Sequence, residues 1–206
     1  MLISRRARDI QASPIRKLKP LADEAKKRGI HIFHLNIGDP DVPTPNPIIE
    51  AFHAFRDPIL GYGPSQGFEE LRQAIADYFL GYGIGLTADN VMITIGGSEA
   101  IHFSFSVVAD PGEEIIIPEP FYTNYNGFAA FADVRIVPLP LKVEDGFRLP
   151  PAEEIEALIT PRTRAILLCS PNNPTGTVYT EEELQRVVDL VRKHDLFLIG
   201  DEVYKE

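Results

Sequence analysis

Cysteine is almost missing from this chain. Cys169 is the only one, so no disulfide can form within it, and a reducing compartment suits such a sequence. Cys169 closes an apolar run and reads as an inert core thiol rather than a nucleophile. Long hydrophobic runs are also absent: none approaches the roughly 18 apolar residues of a membrane span. The opening "MLISRRARDIQASP" has arginines but lacks the apolar centre of a signal peptide. A soluble cytoplasmic protein, away from membranes, is expected. Positive charge is in short supply. Lys and Arg number 20 against 30 Asp and Glu, a net charge of −10. Nucleic acid and anionic membranes would be repelled at long range, so neither is an expected partner, while a local positive pocket remains open.

What is present is enough for one large domain, or one domain and part of another: 206 residues, 44% of them hydrophobic. Ser13 and Pro14 read as an N-cap and first helical residue. Ile15, Leu18, Ala22 and Ala25 follow on one face, and Gly29 ends the helix. "IHIFHL" suits a short strand. "NIGDPDVPTPNP" must be a loop. "IIEAFHAF" and "FEELRQAIADYFLGYG" have helical spacing.

From residue 90 the pattern alternates. "NVMITI", "EEIIIP", "DVRIVPLP", "RAILLCS" and "LFLIGDE" read as strands. Between them, "SEAIHFSFSVVAD", "FYTNYNGFAAFA", "AEEIEALI" and "TEEELQRVVDLVRKH" read as helices. Thr180 and Glu183 stand at capping-box spacing. Short apolar strands alternating with helices predict an α/β fold with a mostly parallel, helix-covered sheet. A boundary is expected near Pro43 to Pro47. It would separate an N-terminal arm and small-domain segment, residues 1–45, from part of a large domain, residues 46–206.

Four places could carry chemistry. In "VMITIGGSEA" a strand runs through Gly96-Gly97-Ser98 straight into a helix. Such a turn can cradle an anion on free N–H groups, the Ser98 hydroxyl and the helix dipole. It can equally be a tight turn capped by Ser98. In "IIIPEPFYTNY", Tyr122 follows a strand end and could stack on a flat ring or pack as core. In "SPNNPTG", Asn173 offers a donor and an acceptor, or closes an Asx turn. In "LFLIGDEVY", Asp201 ends an apolar strand and needs a partner, either a helix N-terminus or a protonated ring nitrogen. All four lie at carboxyl ends of expected parallel strands, where such sheets bind ligands. An anion cradle, an aromatic plate, an amide and a carboxylate together suit pyridoxal 5'-phosphate.

With "YGPSQG", "GGSEA", "PEPFYTNY", "SPNNPTG" and "GDEVY" in this order, the chain resembles the class I/II aminotransferases, aspartate-aminotransferase-like enzymes of fold type I. The likeness runs from "LNIGDPD" to "DEVYKE". It implies the large-domain fold of these pyridoxal-phosphate enzymes, transfer of an amino group between an α-amino acid and a 2-oxo acid, and a homodimer. It implies that Gly97, Ser98 and Glu99 hold the cofactor phosphate, Glu99 through its backbone N–H. Tyr122 would stack on the ring, Asn173 and Tyr204 would bond its phenolic oxygen, and Asp201 would pair with its nitrogen. Tyr62 would reach the phosphate in a neighbouring subunit, and Gly38 the substrate carboxylate. No metal is implied. The resemblance also implies a Schiff-base lysine beyond the aspartate–tyrosine pair. The lysines here are Lys17, Lys19, Lys26, Lys27, Lys142, Lys193 and Lys205, and none suits that role. The expectation is a cofactor-cradling half of an enzyme, inactive by itself. Other pyridoxal-phosphate chemistry (a β-lyase or a synthase), a non-catalytic binding or regulatory protein, and an α/β domain with incidental motifs are the alternatives.

Overall fold

The computed structural model describes residues 2–10, 17–35, 38 and 40–205, with Arg5 and Asp9 as backbone only. Ser13, Pro14 and Ile15 lie outside the described residues. The chain divides into two compact units: residues 18–94, and residues 1–17 with 95–206. Pro43 to Pro47 fall inside the first. No helix among the described residues is long and apolar enough to cross a membrane.

Helix α1 is Arg5–Asp9, capped by the Ser4 side chain. The 18–94 unit is built on helices α2 (Lys19–Lys27), α3 (Asn46–Ala54) and α4 (Glu69–Leu80), with a 3-10 turn at Ala88–Asn90. Arg72 fastens α4 to that turn. It is buried and donates to the Ala88 carbonyl at 2.8 Å and to Gln66 Oε1 at 3.1 Å. Gly67 has φ +94°, and a Cβ there would lie 2.4 Å from Ile93 Cγ1, so only glycine fits.

The second unit holds the sheet. In chain order its elements are α5 (Gly97–Val108), β1 (Glu114–Glu119), α6 (Tyr125–Ala132), β2 (Arg135–Pro140), α7 (Ala152–Glu156), β3 (Thr163–Cys169), α8 (Glu181–Lys193) and β4 (Phe197–Asp201). The strand order is β2-β1-β3-β4 and every pairing is parallel. Strand alternation sends neighbouring residues to opposite faces. Ile115, Ile117, Ala165 and Leu167 join Ile101, Phe105 and Ala129 of α5 and α6 in one core. Ile116, Ile166 and Leu168 join Ile155, Val187, Leu190 and Val191 of α7 and α8 in the other. Both faces of β1 and β3 are therefore covered, and each fully buried Ile or Leu contributes about 1.5–3 kcal/mol. The expected capping box is present: Glu183 N–H donates to Thr180 Oγ1 at 3.2 Å, and Thr180 N–H to Glu183 Oε2 at 2.7 Å.

Two expected strands do not form. Neither "IHIFHL" nor "NVMITI" belongs to a sheet among the described residues. Both have β-like composition, but a strand exists only where a neighbour completes its ladder. Val91 is extended at φ −116° and ψ 129°, and beyond it Ile93 N–H donates to the Gln66 carbonyl at 2.9 Å.

The amino ends of β1 and β3 are bound by charge. Glu114 is buried, and its carboxylate accepts from Thr160 Oγ1 at 2.6 Å and from Arg162 Nη2 at 2.9 Å. The Thr160 hydroxyl and then Arg162 hold this carboxyl below its ordinary value of 4.5. The native value lies below the unfolded one, so the stabilisation is complete above about pH 4.5 and is lost as pH falls through the depressed native value. Melting temperatures measured downward from about pH 7 should therefore fall more steeply below about pH 4.5 in the parent than in Glu114→Gln. Parallel curves would contradict this.

Candidate active site

The chain leaves β1 for β2 on one side and returns to β3 on the other, so the strand order reverses between the carboxyl ends of β1 and β3. Such reversals open a crevice in parallel sheets. Here a cavity of about 200 Å³ is lined by Gly97, Ser98, Ile101, Tyr122, Tyr125, Phe128, Cys169, Asn173, Asp201, Val203 and Tyr204. Six residues singled out from the sequence meet in it: Gly97, Ser98, Tyr122, Asn173, Asp201 and Tyr204.

The glycine turn enters α5 without a side-chain cap. Gly96 is the N-cap at φ +77°, a left-handed conformation that favours glycine, and Ser98 already lies inside the helix. The reading of Ser98 as the cap is thus corrected: its hydroxyl stands at the open N-terminus of a 12-residue helix. First-turn N–H groups have no partner within their own helix and carry the positive end of its dipole. The Glu99 side chain turns back to accept from Ile95 N–H at 2.6 Å.

The "SPNNPTG" loop is closed by Asn172, not Asn173. Asn172 Oδ1 accepts from Thr175 N–H at 3.1 Å and Thr175 Oγ1 at 2.9 Å. Asn172 N–H donates to the Thr177 carbonyl at 2.9 Å. With the turn fastened by its buried neighbour, Asn173 is left to face the cavity, where its Nδ2 donates to Tyr204 Oη at 3.1 Å. The Asx turn considered for Asn173 belongs one residue earlier.

Asp201 lies beside Cys169 in the β3–β4 register. Its Oδ2 accepts from the Tyr125 hydroxyl at 2.5 Å, and its Oδ1 from Val203 N–H at 3.3 Å. Tyr125 has no exposed surface. Burial, and then the bond to Asp201, push its hydroxyl far above the ordinary tyrosine value. Tyr122 is half-buried at the cavity wall. Its hydroxyl accepts from Asn124 Nδ2 at 2.6 Å, and its ring meets Tyr125 edge-on, centroids 5.6 Å apart. Burial raises the Cys169 thiol, and its Sγ lies 3.4 Å from the Pro171 carbonyl, consistent with an inert thiol.

Tyr62 and Gly38 belong to the other unit and are exposed. No lysine lines the cavity among the described residues. Tyr125 was missed in the sequence. The only signal there was a third aromatic in "FYTNY", at helical spacing from Phe121.

A family model described as aminotransferase class I and II matches residues 30–206. The aspartate/prephenate aminotransferase of Thermus thermophilus is 35% identical over 205 residues, 98% of this chain and 53% of that protein. Aromatic-amino-acid aminotransferase 2 of Thermococcus litoralis is 37% identical over 210 residues, 100% of this chain and 52% of that protein. The crystal structure of aspartate aminotransferase from Thermotoga maritima superposes with a TM-score of 0.93 at 34% identity, covering 98% of this chain and 54% of that one. The chain spans about half the length of the curated relatives it matches.

Proposed function

The chain belongs to the class I and II aminotransferases, and on that premise we propose that it forms the cofactor-cradling half of a pyridoxal-phosphate-dependent aminotransferase. The observation that carries the reading is the convergence of Gly97, Ser98, Tyr122, Asn173, Tyr204 and Asp201 on one cavity at the carboxyl edge of a parallel sheet. The donor set fits the cofactor. An uncapped helix N-terminus with a serine hydroxyl suits a dianion. A tyrosine ring suits a flat heterocycle, a paired amide and phenol suit a phenolate oxygen, and a carboxylate suits a ring N–H.

Gly97, Ser98 and the Glu99 N–H would hold the phosphate, and Tyr122 would cover one ring face. Asn173 and Tyr204 would bond the phenolic oxygen. The Asp201 carboxylate would keep a proton on the ring nitrogen. Bound in this way, pyridoxal phosphate supplies an electron sink for proton loss at a substrate Cα. An α-amino acid and a 2-oxo acid are the proposed substrates, with Gly38 meeting their carboxylate. A homodimer is proposed through Tyr62, with a cytoplasmic location, an N-terminal arm and small-domain segment of residues 1–45 and a large-domain part of residues 46–206. A purely binding role is the second reading, because the residues that line the cavity can hold the cofactor without reacting with it.

Titration of the purified chain with pyridoxal phosphate, followed by circular dichroism induced in the cofactor absorption band, tests the cradle. A saturable signal at one equivalent is expected, weakened by roughly two- to tenfold in Ser98→Ala, because its hydroxyl is one of several donors that share the phosphate and is worth about 0.5–1.5 kcal/mol. No saturable signal would refute the proposal. Amino transfer by the native gene product, and its absence, separate the enzyme from the binding protein.

A further inference from the structure

β4 is an edge strand, paired only with β3 among the described residues. Phe197, Leu198, Val203 and Tyr204, before and after Asp201, are all exposed. The Val203 N–H contact, at 3.3 Å from within the same turn, is long. The short contact comes from another element. Tyr125 opens α6, 76 residues earlier in the chain, and donates to Oδ2 at 2.5 Å.

Tyr125 is rigidly placed. Its ring has no exposed surface and lies in the core with Ile101, Phe105, Ile117 and Leu167. Phe121 is tilted beside it at 6.1 Å, and Tyr122 stands edge-on to it. A hydroxyl on so fixed a ring can satisfy the carboxylate from only one direction. It occupies Oδ2 and, among the described residues, leaves Oδ1 with the long Val203 contact. Burial keeps the phenol protonated, so it remains a donor.

We infer that Tyr125 is the positioning residue for Asp201: its hydroxyl, held by the α5–α6 core, fixes the carboxylate so that Oδ1 is presented to a ring N–H in the cavity. The inference rests on the pyridoxal-phosphate reading above and deepens it. Tyr125 acts through Asp201 and need not touch the ligand. Its bond to Asp201 also joins the aromatic wall, through Tyr122, to the end of the edge strand.

Two ligands separate this role from plain structural support: pyridoxal phosphate, and its carbocyclic analogue with C–H in place of the ring nitrogen. Both carry the phosphate, the aldehyde and the phenolic oxygen, and only the first can bond to Asp201. Affinities are measured with the parent chain and with Tyr125→Phe, which keeps the ring volume. A melting curve confirms that the variant folds. The variant is expected to lose roughly tenfold in affinity for pyridoxal phosphate and less than about twofold for the analogue. Equal losses for the two ligands would make Tyr125 a general support of the cavity and overturn the inference, as would no loss for either. A parent chain that binds neither ligand would instead refute the cofactor reading itself, a result distinct from both.

Discussion

Asp201→Ala is expected to weaken pyridoxal-phosphate binding by roughly 10- to 150-fold, the equivalent of losing one hydrogen bond to a charged partner, about 1.5–3 kcal/mol. Among the described residues the carboxylate is the only acidic side chain lining the cavity, so none of its neighbours there can take over a cationic ring N–H. A second effect accompanies the first. The alanine variant leaves the Tyr125 hydroxyl without its acceptor at a site with no exposed surface, and an orphaned buried donor costs about 1–3 kcal/mol. Asp201→Asn separates the two effects. Its amide oxygen can still accept from Tyr125, so stability should return towards the parent while the charge stays missing. Titration with the cofactor and thermal unfolding of the three proteins are the measurements. An affinity unchanged in both variants would remove Asp201 from the ring nitrogen.

Local patterning made the sheet legible, and one-dimensional spacing made the site's outline legible. Short apolar runs alternating with helical periods yielded β1 to β4 and the helices between them. The rule that ligands lie beyond the carboxyl ends of parallel strands then collected Tyr122, Asn173 and Asp201 before any contact was known, and Ser98 joins them from its glycine turn although the strand expected before it does not form among the described residues. What the sequence hid depends on pairing across distance. "IHIFHL" and "NVMITI" have the composition of strands but no ladder neighbour among the described residues. Asn172 and Asn173 are chemically identical and adjacent, and only the folded loop shows which one closes the turn and which faces the cavity. Tyr125 looks like any aromatic on an apolar helix until its hydroxyl meets a carboxylate 76 residues away. Glu183 was legible as one half of a capping box, but not as the acceptor for a segment more than 30 residues upstream.

That second role makes Glu183→Ala the most damaging stability change expected here. Glu183 is 5% exposed. Besides Thr180 N–H at 2.7 Å, its carboxylate accepts from Leu149 N–H at 2.8 Å and from Arg148 through Nε, at 3.1 Å, and Nη2. Arg148 also donates to the Val178 carbonyl at 2.8 Å, so residues 148–149 and the start of α8 are held by one carboxylate. Alanine removes half the capping box, about 1 kcal/mol. It also orphans the Leu149 N–H, about 1–3 kcal/mol, and leaves a half-buried guanidinium without its carboxylate. Breaking one side of such a pair gives a total of about 3–5 kcal/mol. At about 2–4 °C per kcal/mol for a chain of this size, the melting temperature should drop by roughly 6–20 °C. Glu182→Ala, on the exposed side of the same turn, should stay within about 0.5 kcal/mol. A loss below about 1 kcal/mol in Glu183→Ala would mean that residues 148–149 do not depend on α8. Cofactor affinity should change by less than about threefold at temperatures where the variant is folded, because distant sites act independently. The loop that presents Asn173 is closed by Asn172, Thr175 and Thr177, none of which bonds to Glu183. Stability and binding should therefore separate: Glu183 governs how α8 seats on the sheet, and Asn172 governs where Asn173 points.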